Sequence, residues 1–225
     1  MERALADSAL FSGLTEKDLT VIRNAGRQRS LEAETFLFME GDRADQFFVV
    51  MTGKVKIFKT AADGKEQILL LAGPGESIGE AALFAERRFP ASAQAVVETD
   101  VLSFSRDDFL ELIRKHPILA LNMIAGLSVR LHHLTRLVQQ LSLEDVSTRL
   151  AGYLRDQLSA ADPVTQAVHL PEKKMTLASL LGTIPETLSR AFARLTRLGI
   201  IAVEGDTVII RDRRKLADQA SGKKP

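Results

Sequence analysis

The sequence predicts an α+β fold in three consecutive parts: a β-rich N-terminal roll, a long helix suited to pairing with a second copy, and a C-terminal winged helix-turn-helix. Three observations predict it. Short apolar strands crowd residues 30–104 between glycine-bearing or charged turns. An apolar stripe from Ile124 to Leu141 recurs at alternating steps of three and four. The stretch MTLASLLGTIPETLSRAFARLTRLGII, Met175 to Ile201, reads as helix, glycine turn, helix. The parts are expected at 1–116, 117–142 and 143–225.

Composition narrows the function. At 225 residues and 45% hydrophobic, the chain can bury one large core or two modest ones. It has no cysteine, which excludes disulfides, iron–sulfur clusters and Cys-ligated zinc. No apolar run approaches a membrane span, and MERALADS lacks the apolar core of a signal peptide, so a cytoplasmic location away from membranes is expected. From Leu143 onward 13 Lys and Arg face 10 Asp and Glu, against 17 and 19 in the remainder. The excess positive charge therefore lies in the C-terminal part, where a nucleic acid would be met. No nucleophile–base motif, phosphate-binding loop or metal-ligand cluster stands out, so the chain is not expected to be an enzyme.

In order along the chain, Leu14, Leu19 and Ile22 predict a helix to Ala25, with Thr15 capping and Asp18 completing a capping box. The strands are ETFLFME, QFFVVMTG, KVKIFKT, QILLLAG, ASAQAVV and DVLSFS, and Asp63-Gly64 marks a hairpin. Ser105 to Lys115 is helical with Phe109, Leu110 and Ile113 inward, and Pro117 interrupts it. Ile124, Leu127, Leu131, Leu134, Val138 and Leu141 then occupy the a and d positions of about two and a half heptads, the seam of a dimeric coiled coil. Ser142 and Asp145 form a capping-box pattern for a helix to about Ser159, with Val146, Leu150, Tyr153, Leu154 and Leu158 inward. Ala160 to His169 reads as a polar loop, and Arg213 to Pro225 as a fraying tail.

In the helix-turn-helix, Thr176 is the expected cap of the first helix, Gly182 the sharp turn, Thr183 the second cap and Pro185 a first helical residue. Leu188, Phe192 and Leu195 share one face of the second helix. Glu186, Ser189, Arg190, Arg194 and Arg197 share the other, the mixture a major-groove reader needs. An ordinary helical hairpin with a solvated face is the alternative. Ile200 to Val203 and Val208 to Ile210, across Gly205-Asp206, form the wing.

With Gly41 in EGD, Gly53 in MTGKVKIF and Gly79-Glu80 in GESIGEAALF, followed by the long helix and the winged pair, the chain resembles the Crp/Fnr family of bacterial transcription regulators. The resemblance implies a cyclic-nucleotide-binding-type β-roll, a homodimer on a two-fold operator in double-stranded DNA, and contact with RNA polymerase. Glu186, Ser189 and Arg190 match the E-x-x-S-R pattern of the Fnr-like branch, which implies a TTGAT-like half-site. Arg190 would bond guanine, Glu186 cytosine, and Ser189 would approach a thymine methyl. Arg194, Arg197, Thr176 and Lys173 or Lys174 would hold phosphates.

The same resemblance places the effector pocket at Gly79, Glu80 and Ser92, with Leu127 and Leu131 from the long helix. In cAMP-binding members an arginine immediately precedes the Ser or Thr that holds the phosphate. Here Ala91 or, without a gap, Pro90 stands there, with Arg87 and Arg88 a few residues upstream. Cyclic AMP is therefore disfavoured. The remaining likeness is to haem-dependent nitric-oxide regulators. Haem is the expected cofactor, nitric oxide or redox state the expected signal, and His116, His132, His133, Met51 and Met123 the available ligands. The alternatives are a cAMP-responsive activator and a cyclic-nucleotide-binding regulatory module acting through protein contacts.

Overall fold

The computed structural model describes residues 2–84, 87–160, 166–170 and 174–222. The chain forms two compact units, residues 1–59 with 69–134, and residues 60–68 with 135–225.

The N-terminal unit opens with helix α1 (Glu2–Ala6), a 3-10 turn (Ala9–Phe11) and helix α2 (Glu16–Ala25), whose Thr15/Asp18 capping box forms as expected. Two antiparallel four-stranded sheets follow. One has the order β1 (Arg27–Leu31), β8 (Thr99–Ser105), β3 (Gln46–Thr52), β6 (Ser77–Ile78). The other runs β2 (Phe36–Phe38), β7 (Ser92–Ala95), β4 (Val55–Thr60), β5 (Glu66–Ala72). Strand β3 explains the layering. Its run Phe47 to Met51 is buried throughout, because both of its faces are covered. With period two, Phe47, Val49 and Met51 enter a core shared with the helices, while Phe48 and Val50 enter the core between the sheets. Phe47 stacks on Phe104 at 5.2 Å and meets Phe109 edge-on at 4.6 Å.

Helix α3 (Glu80–Phe84) follows β6, and α4 (Arg106–Lys115) is capped by Ser105, which accepts from the Asp108 amide. Leu112, rather than Leu110, is the fully buried partner of Phe109. Helix α5 (Ile118–Leu143) buries Leu119 in the same core, and its Asn122 amide donates to the carbonyls of Leu10 at 3.1 Å and Ser12 at 2.8 Å.

The C-terminal unit packs α6 (Val146–Ala160), α7 (Lys174–Leu180), α8 (Pro185–Arg197) and α9 (Arg213–Ala220) around one apolar core. Its sheet has the order β10 (Ile201–Glu204), β11 (Thr207–Ile210), β9 (Ala167–His169).

Several expectations are corrected. Strand β1 is polar, yet it pairs along β8 from Arg27↔Ser103 to Leu31↔Thr99. Part of the expected loop is β9, the third strand of the wing sheet; residues 161–165 of that loop lie outside the described residues. The expected fraying tail is instead α9, capped by Asp212 and docked through Leu216 and Gln219, whose amide donates to Thr148. Ser142 lies inside α5, and Asp145 caps α6 by accepting from the Thr148 amide at 2.8 Å. Helix α7 starts at Lys174, so Thr176 is inside it, and the cap of α8 is Ile184, not Thr183.

Candidate nucleic-acid interface and effector cavity

Helix α8 turns one face inward and one outward. Leu188, Ala191, Phe192 and Leu195 are buried, whereas Glu186, Ser189, Arg190, Arg194 and Arg197 are all exposed. Pro185 at the first helical position costs no hydrogen bond, and Gly182, at φ +60°, makes the turn that separates α7 from α8. A Cβ at Gly182 would stand 2.2 Å from Cδ2 of Leu141, so the turn lies tight against the end of α5.

The polar side chains of this face differ in what they already hold. The Ser189 hydroxyl donates to the Pro185 carbonyl at 2.9 Å, one turn back on its own helix. Arg194 pairs with Asp145 at 3.3 Å. Arg190 and Arg197 have no hydrogen bond or ion pair among the described residues, so their donors are open to a ligand. Thr176 is half-buried and Lys174 exposed at the start of α7; Lys173 lies outside the described residues. Partial burial raises the Asp145 pKa, but hydrogen bonds from Thr148 and the charge of Arg194 outweigh it, leaving the carboxyl below its ordinary value.

One residue that spacing did not single out braces this unit. Arg149 is buried and donates to the carbonyls of Leu181 at 2.8 Å and Glu144 at 2.6 Å, with longer bonds to Gln140 and Gly182. It thus ties the last turn of α5 to the helix-turn-helix turn, at a helix end whose free carbonyls favour a cation. Burial depresses its pKa, and Glu144 and Asp145 pull the other way. The sequence does carry a signal: Arg149 stands three residues after Val146 on the inward stripe of α6, where an arginine is out of place.

In the N-terminal unit a cavity of about 200 Å³ lies between sheet, α3 and α5. Its wall is mainly Phe38, Ile57, Leu70, Ile78, Phe89 and Leu134, and Phe38 stacks on Phe89 with centroids 3.6 Å apart. Gly79 and Glu80 line it as expected. Gly79 is left-handed at φ +86°, and a Cβ there would meet Phe89 at 2.8 Å. Ser92, Leu127 and Leu131 do not line it. The Ser92 hydroxyl accepts from the Glu40 amide, and from α5 it is Arg130, His133 and Leu134 that line the cavity.

Arg130 is bound to Oε1 of Glu80 and to the Ser77 carbonyl. Glu80 is only 3% exposed, and its Oε2 has no hydrogen-bond partner among the described residues. Arg88 donates to the Gly41 carbonyl and Arg87 faces Asp45, so neither stands on the cavity wall. Along α5, Ile124, Leu131, Leu134, Val138 and Leu141 are exposed and Leu127 is half-buried. Leu134 belongs both to that stripe and to the cavity wall.

Family models agree with this geometry. Residues 28–116 match the cyclic nucleotide-binding domain, and residues 148–219 match the Crp-like helix-turn-helix domain. The chain is 34% identical over 216 residues to the cyclic AMP receptor protein of Thermus thermophilus, covering 96% of this chain and 98% of that one. It is 30% identical to the nitrogen fixation regulation protein FixK of Bradyrhizobium diazoefficiens, covering 89% of this chain and 84% of that one. The solved structure of FixK2 from Bradyrhizobium japonicum has the same fold, with a TM-score of 0.74 at 24% identity, over 86% of this chain and 96% of that one.

Proposed function

The chain belongs to the Crp/Fnr family of transcription regulators, and from that premise we propose that it binds a TTGAT-like palindrome as a homodimer under control of a ligand in the β-roll cavity. The family is one of DNA-binding regulators, not enzymes. The observation that carries the specific reading is the exposed face of α8. It presents a carboxylate, a hydroxyl and two unengaged guanidiniums on a helix whose opposite face is locked into the core. Arg190 suits the paired acceptors of guanine, and Glu186 the amino group of cytosine. Arg197, Lys174 and Thr176 suit phosphates, and Arg194 does so once it leaves Asp145.

The exposed apolar stripe on α5 supports the dimer, since Leu131 and Val138, each 65% exposed, would otherwise face water. Two recognition helices would then address successive major grooves about 34 Å apart. A ligand touching Arg130, His133 and Leu134 touches the same helix that carries the seam. It can therefore bias the pairing of the two α5 helices if it binds one arrangement better than the other. RNA polymerase is the expected further partner, and no described helix is long and apolar enough to cross a membrane.

Sensing of nitric oxide or redox state through haem is poorly supported by this site. The cavity, at about 200 Å³, falls below the roughly 300–1,000 Å³ of pockets for drug-sized ligands. Among the described residues His133 is the single candidate ligand on its wall. Met51 is buried in the helix-side core with Met123 packed against it, His116 faces Asp18, and His132 bonds the Ser128 carbonyl. The residues present do not fit a porphyrin. Cyclic AMP, the ligand in the name of the Thermus relative, lacks an unpaired cation for its phosphate, because Arg130 is held by Glu80.

The test is a gel-shift titration on a TTGAT palindrome and its mismatched variants. Arg190→Ala is expected to weaken binding by about 1–3 kcal/mol per half-site and to narrow the gap between matched and mismatched operators. An unchanged gap would overturn the assignment of Arg190.

A further inference from the structure

We propose that the cavity takes a small, uncharged, largely apolar molecule bearing one hydroxyl, such as a substituted single ring, and rejects anions of the same size. This deepens, and rests on, the reading of that cavity as the effector site.

Size comes first. An apolar void of about 150 Å³ accepts benzene, so about 200 Å³ accommodates one substituted ring. The wall supplies aromatic and aliphatic surface from Phe38, Ile57, Ile78, Phe89 and Leu134, and three polar side chains, Glu80, Arg130 and His133.

Charge decides the class. Among the described residues Arg130 is the one guanidinium on the wall, and Glu80 already neutralises it. The second oxygen of Glu80 is buried without a partner among the described residues, so the local balance of hydrogen bonds already runs toward excess acceptors. An anion brought here would lose its water, gain no free cation and lie near a buried carboxylate. A hydroxyl meets a better partner in His133. Its Nε2 lies 3.2 Å from the Leu69 carbonyl, and since a carbonyl only accepts, Nε2 carries the proton. In the neutral ring Nδ1 is then an acceptor for the ligand's hydroxyl.

The test is calorimetric titration of the full-length protein at neutral pH with benzyl alcohol, benzoate and cyclic AMP. Benzyl alcohol and benzoate share a ring and differ in charge. Benzyl alcohol is expected to bind once per chain, and benzoate about tenfold or more weaker. Cyclic AMP is expected not to compete. Glu80→Gln leaves Arg130 without its counter-charge and is expected to shift the benzoate-to-benzyl alcohol affinity ratio about tenfold toward benzoate. Ala91→Leu fills the cavity from its own wall and is expected to abolish benzyl alcohol binding with the circular dichroism retained, a control that does not depend on the Glu80 variant folding.

Native protein that binds benzoate or cyclic AMP as tightly as benzyl alcohol overturns the proposal. So does a lack of benzyl alcohol binding, or binding that Ala91→Leu leaves untouched. The same preparation is titrated with the TTGAT palindrome with and without benzyl alcohol. Absence of operator binding in both states strikes the regulator reading, whereas operator binding without probe binding strikes only the ligand class.

Discussion

The exposed polar face of α8 and the wall of the β-roll cavity are both polar-on-apolar surfaces, but they treat their charges in opposite ways. On α8, Arg190 and Arg197 are exposed and unengaged, and the buried side of the helix holds them in place. In the cavity, Arg130 and Glu80 cancel one another, leaving mostly aromatic and aliphatic surface. The difference teaches what each surface selects. Open guanidiniums suit a polyanion, while a neutralised pair inside an apolar wall suits discrimination by shape and by the cost of desolvating a charge.

The largest expected effect lies at the proposed seam of α5. Leu131→Glu with Val138→Glu alters side chains that are exposed in the single chain, so the fold should persist while dimerisation fails. Sedimentation should report monomers, and operator affinity should fall by about a hundredfold or more, because two half-sites no longer bind together. A dimer with native affinity would refute the seam.

Next in size is Arg149→Met. It leaves carbonyls at Leu181 and Glu144 without their donor and should destabilise the C-terminal unit by roughly 2–4 kcal/mol, read by urea unfolding and by faster amide exchange in α8. Ligand binding in the cavity should be unchanged.

A smaller effect separates the arginines of α8. Arg197→Ala should lower the salt dependence of operator binding by about one unit of slope, and Arg194→Ala by less, since forming a phosphate contact requires Arg194 to leave Asp145. Equal slopes would mean that the ion pair does not restrain Arg194.

The smallest concerns Asp145. Its depressed pKa contributes stability that is present above the unfolded-state value and lost as pH falls through the folded value. Asp145→Ala should therefore cost about 1 kcal/mol at pH 7 through the lost cap, and the gap from the native protein should close as the pH is lowered past the ordinary carboxylate range. Urea melts of both proteins between neutral and acidic pH would show it, and a gap independent of pH would remove the carboxylate from the account.

What could be read from the sequence follows from how locally each feature is specified. The polar face of α8 is set by one helix period, and Leu188, Phe192 and Leu195 were enough to orient it. The doubly covered β3 was legible as an uninterrupted apolar run. Strand β1, RQRSL, was not, because pairing with β8 holds it rather than any apolar pattern of its own. Helix α9 was hidden for a similar reason: RRKLADQA has few large apolar residues, and docking through Leu216 and Gln219 makes it a helix.

The expected capping box put Ser142 at the cap with Asp145 as its partner three residues on. The seam continues to Leu141, and α5 runs two residues beyond it, leaving Asp145 as the cap. The cavity lining was only partly readable. Its wall draws on several strands and two helices, and α5 carries apolar residues on two faces. Periodicity alone could not tell that Leu134, rather than Leu127 or Leu131, would turn toward the roll.

Leu134 has a consequence for how such a regulator changes over generations. On the proposed pairing, this one side chain serves both the pocket and the dimer, so a substitution there that retunes the ligand is expected to alter the strength of the dimer as well. Lineages that acquire a new effector through this position should carry compensating changes at Ile124, Leu131 or Val138, a correlated history that sequence surveys of close relatives can seek.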